Sequence, residues 1–287
     1  MKKLLATILA LVMALSLCSV AWATGEYTPL PDAVNDTITL TKDVTFSGDA
    51  TLNLTGKTVE TKGYTITVAS GTVSITGGKF VNETEGVTTK GSEDPHGILA
   101  VNSGATLNIT NASLETKAYQ PLTVEGTCNS VGTTYKCTVA NDKYDSKVMI
   151  SVKGSAAYLN MPSGSVEMVA SESASDGMYG IYASNGGKVT VGDAATGTGP
   201  SVHSQFAALG NNHDTSPSVW NIYGGEYVSA AKATANEWWK YFCGALYLPA
   251  TTDINIYGGT FKGGNYAVCM LSLIHISEPT RHSLISY

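Results

Sequence analysis

The sequence predicts an all-β solenoid, and three observations carry that prediction. A short phrase recurs: Ala50-Thr-Leu-Asn-Leu-Thr55 returns as Ala105-Thr-Leu-Asn-Ile-Thr110, with looser copies at Val73-Ser-Ile75, Leu159-Asn-Met161, Val189-Thr-Val191, Trp220-Asn-Ile222 and Ile254-Asn-Ile256. Inside each copy apolar and polar residues alternate with the period of two that belongs to a half-buried strand. Between Thr24 and Met270 no segment holds an apolar helical period over several turns. One strand of this kind cannot bury its own apolar side. Stacked copies bury it against one another, which is the logic of a solenoid.

Residues 1–23 read as a secretory signal. Lys2 and Lys3 give the positive start, Leu4 to Leu17 the short apolar run, and Ala21-Trp-Ala23 the small-residue cleavage site. Residues 24–270 are then expected to form one elongated β domain. Taking the last apolar residue of each phrase as a marker (Leu54, Ile75, Ile109, Met161, Val191, Ile222, Ile256) gives steps of 21, 34, 52, 30, 31 and 34 residues. The shortest step approximates a bare turn, and longer ones are a turn plus an insertion. Seven markers imply seven turns or more. The step of 52 fits one turn with an inserted hairpin between Cys128 and Cys137, or two turns with one degraded copy.

Further strands precede several markers: Ile66–Val68, Ile98–Val101, Val148–Val152, Ile181-Tyr182 and Ala245–Leu248. Small corners join them to the phrase at Ser70-Gly71, Ser103-Gly104, Gly154-Ser155 and Gly186-Gly187, where glycine accepts the positive φ of a tight bend. Three copies continue into Gly-Gly-x-aromatic, ending at Phe80, Tyr227 and Phe261. Within the phrase, pairs such as Leu52/Leu54, Leu107/Ile109 and Trp220/Ile222 are expected to point inward. The residue between them points outward: Asn at 53, 108, 160, 221 and 255, and Ser74 or Thr190 elsewhere. This outer column reads as a structural ladder of amides.

Cys128 and Cys137 are a disulfide candidate in an exported chain, and Cys243 and Cys269 either pair or stay as buried thiols. The tail from Leu271 to Tyr287 resembles translated transposase-type sequencing adapter. It is expected to be non-native, so the natural protein is expected to continue beyond Met270.

The pattern over about residues 28–270 resembles the right-handed parallel β-helix, the pectate-lyase-like fold. The opening Leu30-Pro-Asp-Ala-Val34 and Ile38-Thr-Leu-Thr-Lys-Asp-Val44 resemble the first coil of secreted bacterial β-helix surface proteins. The resemblance implies architecture and brings no catalytic set with it. Pectate lyases use a catalytic arginine, and Arg281, inside the suspect tail, is the only arginine here. Related polygalacturonases use paired aspartates with further motifs. Of these only a His96-Gly97 dipeptide occurs, and an acid–base role needs a partner in reach.

Composition excludes other classes. The net charge is −6, with no basic patch to neutralise a run of phosphates, so nucleic acid is not an expected partner. After the signal, no apolar run is long enough to span a bilayer. No zinc, phosphate-loop or calcium-repeat motif is present, and Asp142, Asp145 and Asp176 are scattered acids that support no Ca²⁺ site. No catalytic residue, metal ligand or cofactor is assigned. Asn211-Asn-His-Asp214 puts a histidine beside a carboxylate, but adjacent residues on a strand face opposite ways.

The candidate recognition residues are Glu237, Trp238, Trp239, Lys240 and Tyr241, in the insertion between Ile222 and Ile256. Flat rings stack on sugar faces while Glu237 and Lys240 bond hydroxyls. The bland alternative is that these rings cover a corner or end of the solenoid. The expected protein is a secreted or cell-surface β-helix that presents a surface to polysaccharide or a host glycan, adhesin-like and non-catalytic in this stretch. The alternatives are a polysaccharide lyase or glycoside hydrolase whose catalytic turns lie further on, and a purely structural spacer.

Overall fold

The computed structural model describes residues 30–83, 97–117, 120–138, 148–168, 179–211, 216–232, 243–248 and 252–270. These residues form 26 strands in three all-parallel sheets, the right-handed parallel β-helix expected from the repeat. Sheet II begins with β1 (Thr37–Thr39), sheet III with β2 (Val44–Ser47) and sheet I with β3 (Ala50–Asn53). Strands then pass from sheet to sheet in rotation, so every third strand stacks on the last. Sheet I has eight strands, and sheets II and III have nine each. Sheet I carries the repeated phrase. Sheet III carries the strands expected upstream of it.

Sheet II is the strand set that the sequence hardly announces. The aromatic of each Gly-Gly-x-aromatic run belongs to it, and Phe80, Tyr227 and Phe261 all point into the core. The rest of that inward column is Ile38, Val59, Leu114, Tyr135, Val166 and Val202. The Tyr227 and Phe261 rings stack at 5.1 Å, and the Tyr227 hydroxyl donates to the Gly224 carbonyl at 2.6 Å. Two residues after each sheet II core residue, the inward position is often polar and small. Thr61, Asn82, Thr116, Ser204 and Ser229 are all buried there, beside the corner leading to sheet III. Three of them bond backbone through their hydroxyls: Ser204 to the Phe206 carbonyl, Ser229 to the Gln205 carbonyl and Thr61 to the Val81 carbonyl.

The step of 52 residues resolves into two turns. Thr127–Val131 is a sheet I strand paired in parallel with Thr106–Thr110, with Cys128 on Leu107, Asn129 on Asn108 and Ser130 on Ile109. Thr133–Cys137 lies in sheet II, one corner further on. The stretch between Cys128 and Cys137 is therefore a corner at Gly132 and not a hairpin, and the two cysteines lie in different sheets with no disulfide between them. The copy is degraded for a packing reason. Tyr135 fills the core from sheet II, and its hydroxyl lies 2.9 Å from the Ser130 hydroxyl that replaces an isoleucine. A buried phenol needs such a partner.

The thiols provide a direct test. Cys128, Cys137 and Cys243 are buried and Cys269 is half-buried. Under native conditions iodoacetamide should leave the first three unmodified. In denaturant without reductant all four should be alkylated; mass spectrometry showing Cys128 and Cys137 joined would contradict the absence of a disulfide between them.

One register differs from the sequence alignment of the phrase. Leu52, not Leu54, pairs with Ile75, and Ile75 pairs with Ile109. The first copy is thus slipped by two residues against the others. A slip of two keeps every apolar residue inward, so the period alone does not forbid it. The corner decides. Leu54-Thr-Gly-Lys57 forms a turn closed by the Lys57 N–H on the Leu54 carbonyl at 2.8 Å, with Gly56 at φ 76°. The next two copies need only two residues at the same place, Gly77-Gly78 and Asn111-Ala112. Asn53 consequently leaves the outer column, and its Oδ1 accepts from the Thr55 N–H at 3.1 Å.

Candidate functional surface

Each sheet turns a different exterior to solvent. On sheet II the outward positions carry charge. Lys79 pairs with Glu115 at 2.9 Å, Lys136 with Glu167 at 3.7 Å, and Lys262 with Glu226 at 2.6 Å. His203 Nε2 lies 3.7 Å from the other oxygen of Glu226. The Lys262 hydrogen bond holds the Glu226 carboxyl below its ordinary range, with smaller help from His203. Exposed pairs of this kind contribute little stability each, about 0–1 kcal/mol. Each joins neighbouring parallel rungs: Lys136 faces Glu167 directly, whereas Lys79–Glu115 and Lys262–Glu226 run diagonally between columns.

On sheet III the exterior is covered over the later rungs. Tyr247, between the inward Leu246 and Leu248, lies outside the main core cluster yet is buried. Tyr179 packs against Tyr182 at 5.1 Å and edge-on to Phe206 at 5.8 Å. Gly210 makes room for this: a Cβ there would meet the Tyr179 ring at 3.0 Å. Phe206, Ala231 and Cys243 form a small apolar cluster of their own, with Tyr179 packed against it.

On sheet I the exterior is flat, polar and almost without charge. Its central column reads Thr51, Ser74, Asn108, Asn129, Asn160, Thr190, Asn221 and Asn255. Asn108 Nδ2 donates to the Ser74 hydroxyl at 3.3 Å, Asn129 Nδ2 to Asn108 Oδ1 at 2.9 Å, and Asn255 Nδ2 to Asn221 Oδ1 at 3.0 Å. The expected amide ladder therefore forms, extended by Asn129 and without Asn53. The next outward position carries Tyr223 and Tyr257, whose rings stack at 4.7 Å and 8°. These two tyrosines escaped the sequence reading. Their signal was present: both precede Gly-Gly in Tyr223-Gly-Gly-Glu-Tyr227 and Tyr257-Gly-Gly-Thr-Phe261.

The sequence-predicted recognition residues Glu237, Trp238, Trp239, Lys240 and Tyr241 lie outside the described residues. So do His96, His213, Asp142, Asp145 and Asp176. Both flanks of the aromatic run are placed. It connects Glu226–Ser229 of sheet II to Gly244–Leu248 of sheet III, and Ala231 and Cys243 at its base sit together in the Phe206 cluster. The connections at this II-to-III corner range from three residues, 263–265, to sixteen, 83–98. At the other two corners they are short, except for residues 192–200, where the Asp193 carboxylate accepts from the Ala195 N–H at 2.8 Å.

Among the described residues, no three His, Cys, Asp or Glu side chains converge as a metal site would require. Also among them, no helix is long and apolar enough to cross a membrane, which says nothing about β-barrels. In comparisons with known proteins, no family model, curated sequence or solved structure matches the chain.

Proposed function

We propose that this chain is an exported β-helix, secreted or held at a cell surface, that binds polysaccharide or host glycan without chemically altering it. The observation that carries the reading is where the aromatic run sits. Glu237-Trp-Trp-Lys-Tyr241 belongs to one of the longest connections at the corner where connection length varies most. A rigid stack supports variable loops along one edge, an arrangement that suits recognition better than turnover. Aromatic rings with Glu237 and Lys240 beside them supply stacking and hydroxyl-bonding chemistry for sugars. Export through residues 1–23 puts such a surface where glycans are.

Glycan-array binding of the protein tests this directly. Trp238→Ala with Trp239→Ala should lower binding at least tenfold while the far-ultraviolet spectrum stays unchanged. Unchanged binding by the folded double variant would remove the aromatic run from recognition.

A further inference from the structure

The exterior of sheet I points to a second glycan site: we infer that it binds a neutral, extended, β-linked glycan chain laid along the solenoid axis. This rests on the reading of the protein as a glycan binder but uses a different surface from the aromatic run. The face is uncharged over a long distance. The sheet I strands of the first five rungs, from Ala50–Asn53 to Tyr158–Met161, contain no charged residue. Asp49 stands at the edge of this face, where its carboxylate accepts from the Thr72 N–H at 2.7 Å. The neighbouring exterior of sheet II carries Glu60, Lys79, Glu115 and Lys136 over the same rungs. In a chain of net charge −6 this asymmetry separates two surfaces chemically. A neutral ligand docks on sheet I without stripping water from ions, whereas a polyanion finds no cation there.

The spacing fits a polymer. Parallel rungs repeat about every 4.8 Å, close to the advance of one sugar in an extended β-linked chain. Successive sugars therefore meet successive, chemically similar rungs. The polar groups are also held in advance. Each asparagine amide has two N–H donors and an oxygen with two lone pairs. The bonds from Asn129 to Asn108 and from Asn108 to Ser74 each use one donor and one lone pair. They fix the amide planes and leave the second donor and lone pair for a ligand hydroxyl. Groups already ordered lose less entropy on binding. Further along the same face the Tyr158 hydroxyl donates to the Thr190 hydroxyl at 3.2 Å, and Tyr223 and Tyr257 add exposed aromatic edges.

Affinity electrophoresis in native gels tests the inference, with mixed-linkage β-glucan, glucomannan or polygalacturonate cast into the gel. The protein should be retarded by the two neutral polymers and not by polygalacturonate. Thr76→Glu with Thr110→Glu places charge on one outer column of the face, outside the amide ladder. It should weaken retardation by the neutral polymers at least tenfold with an unchanged urea midpoint. Val131→Glu, in the same column one rung further, should act in the same direction. Thr134→Glu on sheet II should not. Full retardation of a folded Thr76→Glu, Thr110→Glu protein overturns the inference. If that protein keeps its retardation while Trp238→Ala, Trp239→Ala loses it, only the sheet I site falls. If no polymer retards the parent protein, the sheet I inference falls, while the aromatic-run reading is decided separately by the glycan array.

Discussion

Trp220→Ala should cost the solenoid about 3–5 kcal/mol, the ordinary range for removing a buried aromatic. Trp220 is fully buried in sheet I between Val189 and Ile254, and among the described residues it is the largest fully buried side chain. Its Nε1 donates to the Ser218 hydroxyl at 3.0 Å, and that hydroxyl also accepts from Asn211 Nδ2 at 3.1 Å. Truncation therefore leaves a cavity and loosens a buried polar triangle. Stability in a stacked repeat is close to a sum over rungs and their neighbours. The loss should be local: amide exchange should accelerate in Lys188–Val191, Ser218–Ile222 and Thr252–Ile256 while Thr72–Thr76 keeps its protection. Trp220→Phe should cost less. A urea midpoint that moves by less than the equivalent of about 1 kcal/mol, or a uniform rise in exchange, would contradict this.

Alkali should unfold the protein more readily than acid. Burial pushes the Cys128 thiol from its ordinary 9.0 up to about 12. The Tyr135 phenol is raised well above its ordinary range by burial and by the neighbouring Cys128, against a smaller opposing effect of Ser130. Burial raises Tyr179 and Tyr227 as well. Each group is an acid whose folded form holds its proton longer than the unfolded form does. Above pH 9 the unfolded chain binds fewer protons, so stability falls as pH rises. The contribution is complete below pH 9 and is lost towards pH 12. At about 1.4 kcal/mol per unit, Cys128 alone accounts for on the order of 4 kcal/mol. Urea midpoints should be level from pH 7 to 9 and drop steeply beyond. Tyrosinate absorbance at 295 nm should rise in two stages, the second coinciding with loss of the β spectrum. A single reversible stage near pH 10 with the fold intact would show that these phenols are accessible.

The architecture was legible because the apolar phrase is short, repeated and bounded by glycine corners. The period of two assigned inside and outside correctly in the seven copies of the phrase it marked. It left open the two-residue slip at Leu52, which preserves that pattern and is settled by the turn at Gly56. It also misjudged Cys128–Cys137, because Cys128 and Ser130 look like the loss of a strand. They are the strand's accommodation to Tyr135, a residue in another sheet. Sheet II was faint for a related reason. Its inward column mixes aromatics with buried threonine, asparagine and serine, so no simple alternation marks it. The proposed recognition surfaces were only partly legible. A cluster of tryptophans is conspicuous in one dimension, whereas an uncharged face emerges only when five separated strands are laid side by side.

The buried polar column at the II-to-III corner has a consequence for how such a chain can change. The hydroxyls of Ser204 and Ser229 bond the Phe206 and Gln205 carbonyls at the start of one short connection, so that connection is held through its backbone and not through particular side chains. Connection length at this corner varies while the strands keep their stacking: three residues serve at 263–265 where sixteen serve at 83–98. The corner behaves as a row of sockets. A loop can be lengthened, exchanged or transplanted at one rung with the neighbouring rungs undisturbed, and specificity can diversify there one socket at a time.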